Sequence, residues 1–195
     1  MDSAQPQVCR NAVCRLACEM ILIVAGVSGS GKTTVGALVA RQLHWRFADA
    51  DTFHPASNIA KMQAGIPLTD ADRRPWLRAV TAWMDECIAR REPAVLACSA
   101  LKRSYRDLLL GGRPQARMIF LSVDPGEIAK RLAVRRHHFF PGQLAASQFG
   151  ILEPPQPDER AVTVLPEKKD LAATVTTIVG MVAASTPGGE HEAKA

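Results

Sequence analysis

The sequence predicts a three-layer α/β/α domain in which helices cover both faces of a parallel sheet of about five strands. Three observations predict it. Several short, apolar and β-branched runs have the composition of strands buried on both faces of a sheet. Stretches compatible with helices separate these runs, and such alternation requires right-handed crossovers between parallel strands. A glycine-rich segment joins the first apolar run to the first amphipathic stretch.

The first strand is predicted over residues 21–25, an apolar run that ends at a glycine. Apolar residues recur at helical spacing over residues 35–43, so an amphipathic helix is expected to begin at Lys32. The four later strands are expected at residues 46–49, 94–98, 118–123 and 161–164.

Two helices are expected between the second and third strands. The first spans residues 58–64 and is ended by Gly65, a residue that tolerates a left-handed C-cap. The second is long, over about residues 74–91, with Pro75 near its first turn, where a missing N–H does no harm. The candidates for its N-cap are Asp70 and Asp72.

Length and composition favour one globular domain over residues 20–184 of the 195-residue chain. The net charge is +5, but basic residues mostly alternate with acidic ones, so no nucleic-acid partner is expected. The five cysteines do not form a disulfide framework, which favours a reducing compartment. The apolar stretch over residues 171–184 is too short to span a membrane, which needs about 20 residues. We therefore expect a cytoplasmic protein without a membrane partner.

Both ends of the chain are expected to be disordered. Residues 1–19 form a leader whose Arg10, Arg15 and Glu19 interrupt any apolar signal core. Met20 directly precedes the first strand, so one hypothesis is that translation starts there and that the leader is not made. Residues 185–195 form a tail with glycine, proline and mixed charges.

Residues 26–33 match the pattern G-x-x-x-x-G-K-[ST], which follows a buried strand and opens a helix. In such a loop the backbone N–H groups turn inward on phosphates, Lys32 reaches the β and γ oxygens, and Thr33 offers a hydroxyl to Mg²⁺. ATP is therefore the expected cofactor, and Lys32 a catalytic residue. The predicted nucleotide-binding residues are Gly26, Val27, Ser28, Gly29, Ser30, Gly31, Lys32, Thr33 and Thr34.

Other features narrow the class of nucleotide-binding protein. No N-K-x-D segment occurs, which argues against a guanine-specific switch. The third strand ends in Cys98-Ser99-Ala100, whereas a mechanical ATPase would show acidic residues there. Acidic residues follow the second strand instead, at the sheet edge where open α/β folds bind ligands. The pattern favours a small-molecule kinase.

Asp49 and Asp51 are the acidic residues after the second strand. Asp51 is a candidate base for an acceptor hydroxyl, and Asp49 a candidate Mg²⁺ ligand through water, because Mg²⁺ keeps several waters. The alternative is that both carboxylates only solvate a loop or cap a helix. Their position opposite the phosphate-binding loop favours the functional interpretation.

The chain resembles the gluconokinase family, which is related to shikimate kinase. The specific part of the match is the block H-P-x-x-N-x-x-K-M over residues 54–62 and Cys-Ser-Ala-Leu-Lys over residues 98–102. The resemblance covers residues 20–164. Its other motifs are Gly65-Ile66-Pro67-Leu68, Asp72-Arg73, Pro75-Trp76-Leu77, Tyr105-Arg106-Asp107, His138-Phe139, Ser147-Gln148-Phe149 and Leu152-Glu153.

The resemblance implies a P-loop kinase fold, transfer of the ATP γ-phosphoryl group to the terminal hydroxyl of D-gluconate, and a homodimer. A site for gluconate needs a cation for the carboxylate and several hydrogen-bonding side chains. The candidates for substrate contacts are Asp51, His54, Lys61, Arg73, Ser99 and Lys102. Trp76 and Trp83, seven apart on the long helix, are expected to pack in the core.

In the resembled family, the segment matching residues 135–150 is a mobile lid. Arg131 and Arg135 lie four apart on one predicted helix face, so a closing lid could deliver them to the phosphates. We expect Arg131 to contact the nucleotide and Arg135 to act in catalysis; a solvated basic helix end is the alternative. His137 stands where the family has glycine, which puts easy bending of the lid in doubt.

Two other functions remain open at the level of sequence. One is a kinase of another small polyol acid, such as shikimate. The other is a nucleotide-binding regulator without catalysis, in which Asp51 and the lid arginines would be dispensable.

Overall fold

The computed structural model describes residues 19–134, 148–166 and 170–184. Five strands are present in this part of the chain: β1 (Ile21–Ala25), β2 (Arg46–Asp49), β3 (Ala94–Cys98), β4 (Ala116–Leu121) and β5 (Ala161–Val164). They form one sheet in the order β2-β3-β1-β4-β5, and every neighbouring pair is parallel. The predicted parallel sheet is confirmed.

Helices connect the strands and cover the sheet. They are α1 (Lys32–Leu43), α2 (Ala56–Gln63), α3 (Asp70–Ala89), α4 (Arg103–Leu110), α5 (Pro125–Val134) and α6 (Leu171–Ala184), and a 3₁₀ turn spans Ala50–Phe53. Apolar residues of α3 and α4 pack on one face of the sheet, and those of α1 and α6 pack on the other. The three predicted layers are therefore present. Trp76 and Trp83 belong to the first of these cores, as predicted.

The start of α3 differs from the prediction. Its N-cap is Thr69, not Asp70 or Asp72, and those cap predictions are wrong. The Thr69 hydroxyl accepts a hydrogen bond from the Asp72 backbone N–H at 3.2 Å, and the Asp72 carboxylate accepts one from the Thr69 N–H at 2.9 Å. This reciprocal pair satisfies two N–H groups that a helix start otherwise leaves unpaired. Because α3 starts at Asp70, Pro75 lies inside the helix rather than near its first turn.

The register of the sheet brings three loops together. Ala25 pairs with Cys98, and Asp49 pairs with Ala97, so the carboxyl ends of β1, β2 and β3 lie side by side. The loops that follow these strands carry the predicted phosphate-binding, acidic and Cys-Ser-Ala segments. Such an edge is where open α/β sheets bind ligands.

Some predictions fall on residues that the structure does not describe. They are the disorder of residues 1–18 and of the tail 185–195, and most of the lid, since only residues 148–150 of the predicted lid are described. Residues 148–151 are helical. Within residues 19–134, 148–166 and 170–184, no helix is both long and apolar enough to cross a membrane.

Candidate active site

Glycines shape the loop between β1 and α1. Gly26, Gly29 and Gly31 have φ angles of 148°, 83° and 96°, a region that side chains rarely adopt. A Cβ atom added to Gly26 would lie 2.7 Å from the Ser30 hydroxyl and 3.0 Å from the Leu121 carbonyl oxygen. The loop conformation therefore requires glycine at this position.

The same loop has the chemistry of an anion cradle. Lys32 opens α1 and is only 6% exposed, so its charge is held close to the helix N-terminus. The Ser30 hydroxyl is buried and has no hydrogen-bond partner among the described residues. Val27 packs beneath the loop against Leu101 and Ile128, whereas Thr34 is exposed. A backbone cradle with a buried lysine fits the phosphates of a nucleotide.

The two predicted Mg²⁺ ligands are in contact. The Thr33 hydroxyl donates a hydrogen bond to the Asp49 carboxylate at 2.7 Å, and the other Asp49 oxygen accepts from the Asp51 backbone N–H at 3.0 Å. Among the residues that the structure describes, no group of three or more His, Cys, Asp or Glu side chains could hold a metal. One hydroxyl and one carboxylate suit an ion that keeps its waters and shares phosphate oxygens.

A cleft opens beside the phosphate loop, and four of the predicted substrate contacts line it. Asp51 and His54 come from the segment after β2, Arg73 from α3 and Ser99 from the end of β3. The other residues lining the cleft are Met62, Ile66, Pro67, Leu68, Trp76, Ala100, Leu101, Tyr105 and Gln148. The cleft thus combines apolar walls with a few convergent polar groups, as small-molecule sites do.

Arg73 is the one cationic side chain among the described residues that line the cleft. Its side chain is 17% exposed and lies over the Tyr105 ring, with the guanidinium carbon 5.9 Å from the ring centroid. One terminal nitrogen donates to the Tyr105 hydroxyl at 3.5 Å and lies 3.9 Å from an Asp70 oxygen. These long contacts leave most of the guanidinium fork available to a bidentate anion.

Lys102 and Lys61 were predicted substrate contacts, but neither is among the described residues that line the cleft. The Lys102 ammonium lies 2.8 Å from both Asp70 carboxylate oxygens, and this hydrogen bond lowers the pKa of Asp70 and raises that of Lys102. The Lys61 ammonium lies 2.7 Å from an Asp72 carboxylate oxygen. This hydrogen bond, together with those that the Thr69 backbone N–H and hydroxyl donate to the same carboxylate, lowers the pKa of Asp72 to about 2. Both lysines are thus engaged by carboxylates.

His54 is a neutral hydrogen-bonding group at neutral pH. Burial, and secondly the charge of Arg73, lower its pKa to about 4. Its ring stacks on Trp76 with centroids 4.6 Å apart. Asn58 donates to the Asp72 carbonyl oxygen at 2.9 Å, and this contact identifies the nitrogen of its amide. The same nitrogen lies 3.2 Å from His54 Nδ1, so Nδ1 accepts and the ring proton resides on Nε2.

Cys98 is the last residue of β3 and directly precedes Ser99 and Ala100, which line the cleft. Complete burial raises the pKa of its thiol to about 12, which makes it inert. The charges of Asp51, Lys32 and Asp49 also act on this thiol. The predicted base, the phosphate-loop lysine and the predicted metal ligand therefore all lie near enough to the end of β3 for their charges to act there.

Comparison with known proteins agrees with this geometry. A family model described as Shikimate kinase matches residues 28–141. The chain is 46% identical over 147 residues to a gluconokinase of Gluconobacter oxydans, covering 75% of this chain and 83% of that protein. It is 41% identical over 162 residues to the thermoresistant gluconokinase of Escherichia coli, covering 83% of this chain and 93% of that protein.

The chain belongs to the gluconokinase family. A solved gluconokinase structure from Sinorhizobium meliloti is 41% identical and superposes with a TM-score of 0.75, covering 86% of this chain and 94% of that one. The resemblance stated from the sequence is confirmed. Membership in this family of P-loop kinases implies the use of ATP.

The gluconokinase resemblance also predicted roles for two arginines. Arg131, in α5, points a guanidinium nitrogen at the phosphate loop, 3.4 Å from the Ser30 carbonyl oxygen and 3.5 Å from that of Gly29. Its predicted contact with the nucleotide is compatible with this position. Arg135 lies outside the described residues, so its catalytic role stays a prediction.

Two further gluconokinase motif residues, Tyr105 and Gln148, line the cleft; from the sequence Tyr105 was expected only to brace the acceptor pocket, and Gln148 had no predicted role. The Tyr105 hydroxyl donates to Asp70 at 2.5 Å and receives the bond from Arg73. Gln148 reaches from the helical segment 148–151 to the phosphate loop. Both lie in blocks that carried the family resemblance, and for Gln148 that resemblance was the signal that could have found it.

Proposed function

We propose that the protein is an ATP-dependent gluconokinase, which transfers the γ-phosphoryl group of ATP to the terminal hydroxyl of D-gluconate and yields 6-phosphogluconate. One observation carries the proposal. A cleft containing Asp51, His54 and Arg73 opens beside the phosphate loop, in a chain 46% identical to a gluconokinase. An acceptor in this cleft would lie next to the phosphates of ATP.

The polar groups of the cleft match the chemistry of gluconate. Its carboxylate would be held by the guanidinium of Arg73, whose planar fork meets a carboxylate with two hydrogen bonds. Its hydroxyls would accept from His54 Nε2 and pair with the Ser99 hydroxyl. The terminal hydroxyl would then face Asp51. Lys61 and Lys102 would act indirectly, by holding Asp72 and Asp70 at the start of α3.

The reaction needs a base, a cradle and positive charge. Asp51 would take the proton of the terminal hydroxyl as the oxygen bonds to the γ-phosphorus and the bond to the ADP oxygen breaks. The phosphate loop and Lys32 would hold the phosphates in line, and Arg131 and Arg135 would neutralise charge on the transferring group. Thr33 and Asp49 would hold Mg²⁺, which when bound screens the charge of the phosphate oxygens.

The setting of the reaction completes the proposal. We expect the enzyme to act in the cytoplasm, where ATP is supplied and thiols stay reduced. We also expect a homodimer, as the family resemblance implies.

The proposal is tested by acceptor-dependent release of ADP from Mg·ATP. Gluconate, shikimate and nucleoside monophosphates would be compared side by side at equal concentrations. We expect release with gluconate to exceed release with the others by at least about tenfold, because only gluconate combines a carboxylate with a free primary hydroxyl. The Asp51→Asn variant should lose about 10²–10⁴-fold in kcat, the usual contribution of a general base. No gluconate-dependent release from the wild type would refute the proposal.

A further inference from the structure

Gln148 stands between the two halves of the site. Its side-chain oxygen accepts a hydrogen bond from the Ser28 backbone N–H in the phosphate loop at 2.7 Å, across 120 residues of sequence. The residue is 8% exposed and also lines the acceptor cleft. One buried carboxamide therefore faces both the nucleotide loop and the place of the acceptor.

The hydrogen bond to Ser28 fixes the orientation of the carboxamide. A backbone N–H can only donate, so the atom that faces it must be the amide oxygen. The amide NH₂ is consequently the arm that turns away from the phosphate loop. Because Gln148 lines the cleft, this NH₂ group is a donor available to an acceptor oxygen there.

The residues that follow Gln148 are anchored to two neighbouring loops. Phe149, Ile151 and Leu152 pack on the small core that contains Val27 from the phosphate loop, one residue from the loop after β3 and one from α5. The Glu153 N–H donates to the Leu101 carbonyl oxygen at 2.9 Å. The backbone that follows Gln148 is thus fixed against the loops after β1 and β3, so the side chain is held in place by more than its own hydrogen bond.

We propose that Gln148 positions the phosphate loop and contacts the acceptor at the same time. Its oxygen holds the Ser28 N–H, and its NH₂ group donates a hydrogen bond to a hydroxyl of the polyol acid. Each bond restricts the carboxamide in the orientation that the other needs, so binding of nucleotide and acceptor is coupled through this residue. The proposal rests on the proposed function for the identity of the acceptor.

Kinetics of Gln148→Met with gluconate and its monodeoxy analogues test the proposal. Methionine keeps the length and volume but has neither oxygen nor NH₂. We expect the KM for gluconate to rise about tenfold and the dissociation constant of ATP alone to rise about threefold, the range for one lost neutral hydrogen bond each. Gln156→Met is the matched control, since Gln156 is exposed and bonds only near Pro154 and Glu159.

The deoxy analogues separate a direct contact from simple packing. If the NH₂ group donates to one hydroxyl, the analogue that lacks this hydroxyl should show nearly the same KM with wild type and with Gln148→Met. If Gln148→Met raised the KM by the same factor for gluconate and for every analogue, the proposed hydrogen bond from the NH₂ group to the acceptor would be overturned. An unchanged dissociation constant of ATP would overturn the link to the phosphate loop.

A second variant covers the case in which methionine destabilises the fold. Gln148→Glu keeps an oxygen for the Ser28 N–H but has no donor for the acceptor. We expect its melting temperature to stay near that of the wild type while the KM for gluconate rises; an unchanged KM would overturn the proposal. A wild type inactive on gluconate would instead refute the proposed function, so the two failures are distinguishable.

Discussion

A buried ion pair stabilises the segment that follows the predicted lid. The side chain of Arg106 in α4 is 0% exposed and that of Glu159 is 2% exposed, and two guanidinium nitrogens of Arg106 donate to the two Glu159 oxygens at 2.5 Å and 2.9 Å. The third guanidinium nitrogen donates to three backbone carbonyls, including that of Ala100, which has a φ of 43°. We predict that Glu159→Gln is strongly destabilising.

The size of the effect follows from burial. Glutamine has nearly the shape of glutamate, but it carries no negative charge. Its NH₂ group would also face an N–H donor of the Arg106 guanidinium, and two donors cannot form a hydrogen bond. An unpaired buried cation costs about 3–5 kcal/mol of the free energy of unfolding. For a domain of this size, each kcal/mol lowers the melting temperature by about 2–4 °C, so a drop of roughly 6–20 °C is expected.

Urea unfolding at pH 7 followed by circular dichroism measures this change. The control is Asp158→Asn, one residue away, whose partner Arg103 lies 2.6 Å from it with side chains 45% and 63% exposed. Such an exposed pair contributes little to the free energy of unfolding, because water and salt screen its charges. The hydrogen bond from Arg106 lowers the pKa of Glu159, so the difference between wild type and Glu159→Gln should shrink as the pH falls through that lowered pKa. Equal losses for both variants would refute the reasoning.

Three further predictions concern the site. Because the pKa of His54 is lowered to about 4, this imidazole is protonated in the unfolded chain but not in the folded one between about pH 6.5 and 4, so the free energy of unfolding of the wild type should fall as the pH falls through this window. The fall should be smaller in His54→Asn, and exposed His44→Asn is the control. Parallel plots of unfolding free energy against pH for wild type and His54→Asn would contradict this. Gly26→Ala should weaken ATP binding at least about tenfold in calorimetry, because the added Cβ would meet two atoms at 3.0 Å or less. The control is Gly180→Ala, whose added Cβ has nothing within 4 Å; this variant should bind ATP normally and be up to about 1 kcal/mol more stable. Equal ATP affinities of the two variants would refute the prediction. Asp49→Asn should raise the Mg²⁺ concentration needed for half-maximal activity. An unchanged Mg²⁺ requirement would show that Asp49 is not a metal ligand.

The fold was predictable because its strands are short and apolar. β1, β2, β3 and β5 start and end at the predicted residues. Gly26 ends the apolar run of β1, and Pro93 and Ser99 bound that of β3. β4 begins and ends two residues before its prediction, at Ala116 and Leu121 rather than 118 and 123, because the apolar run continues past the last paired residue. The N-cap of α3 was mistaken because Thr69 and Asp72 cap reciprocally, and only their geometry identifies the capping residue.

The candidate site was predictable where it depends on strand order. Asp51 and Ser99 directly follow strands that end at one sheet edge, and topology alone brings them together. The partners of the long-range side-chain contacts were not predictable. Lys102 pairs with Asp70 across 32 residues, and Gln148 reaches Ser28 across 120. Such contacts depend on the packing of whole elements, which sequence spacing does not encode.

Phosphorus NMR of the reaction with gluconate tests the central claim most directly. The protein would be incubated with Mg·ATP and D-gluconate, and the new phosphomonoester signal would be recorded with proton coupling. Transfer to the terminal hydroxyl predicts a triplet, because the phosphorus then couples to the two protons of one CH₂ group. A doublet would show transfer to a secondary hydroxyl. The absence of any new ester while a known kinase converts the same mixture would contradict the assignment of this cleft to gluconate.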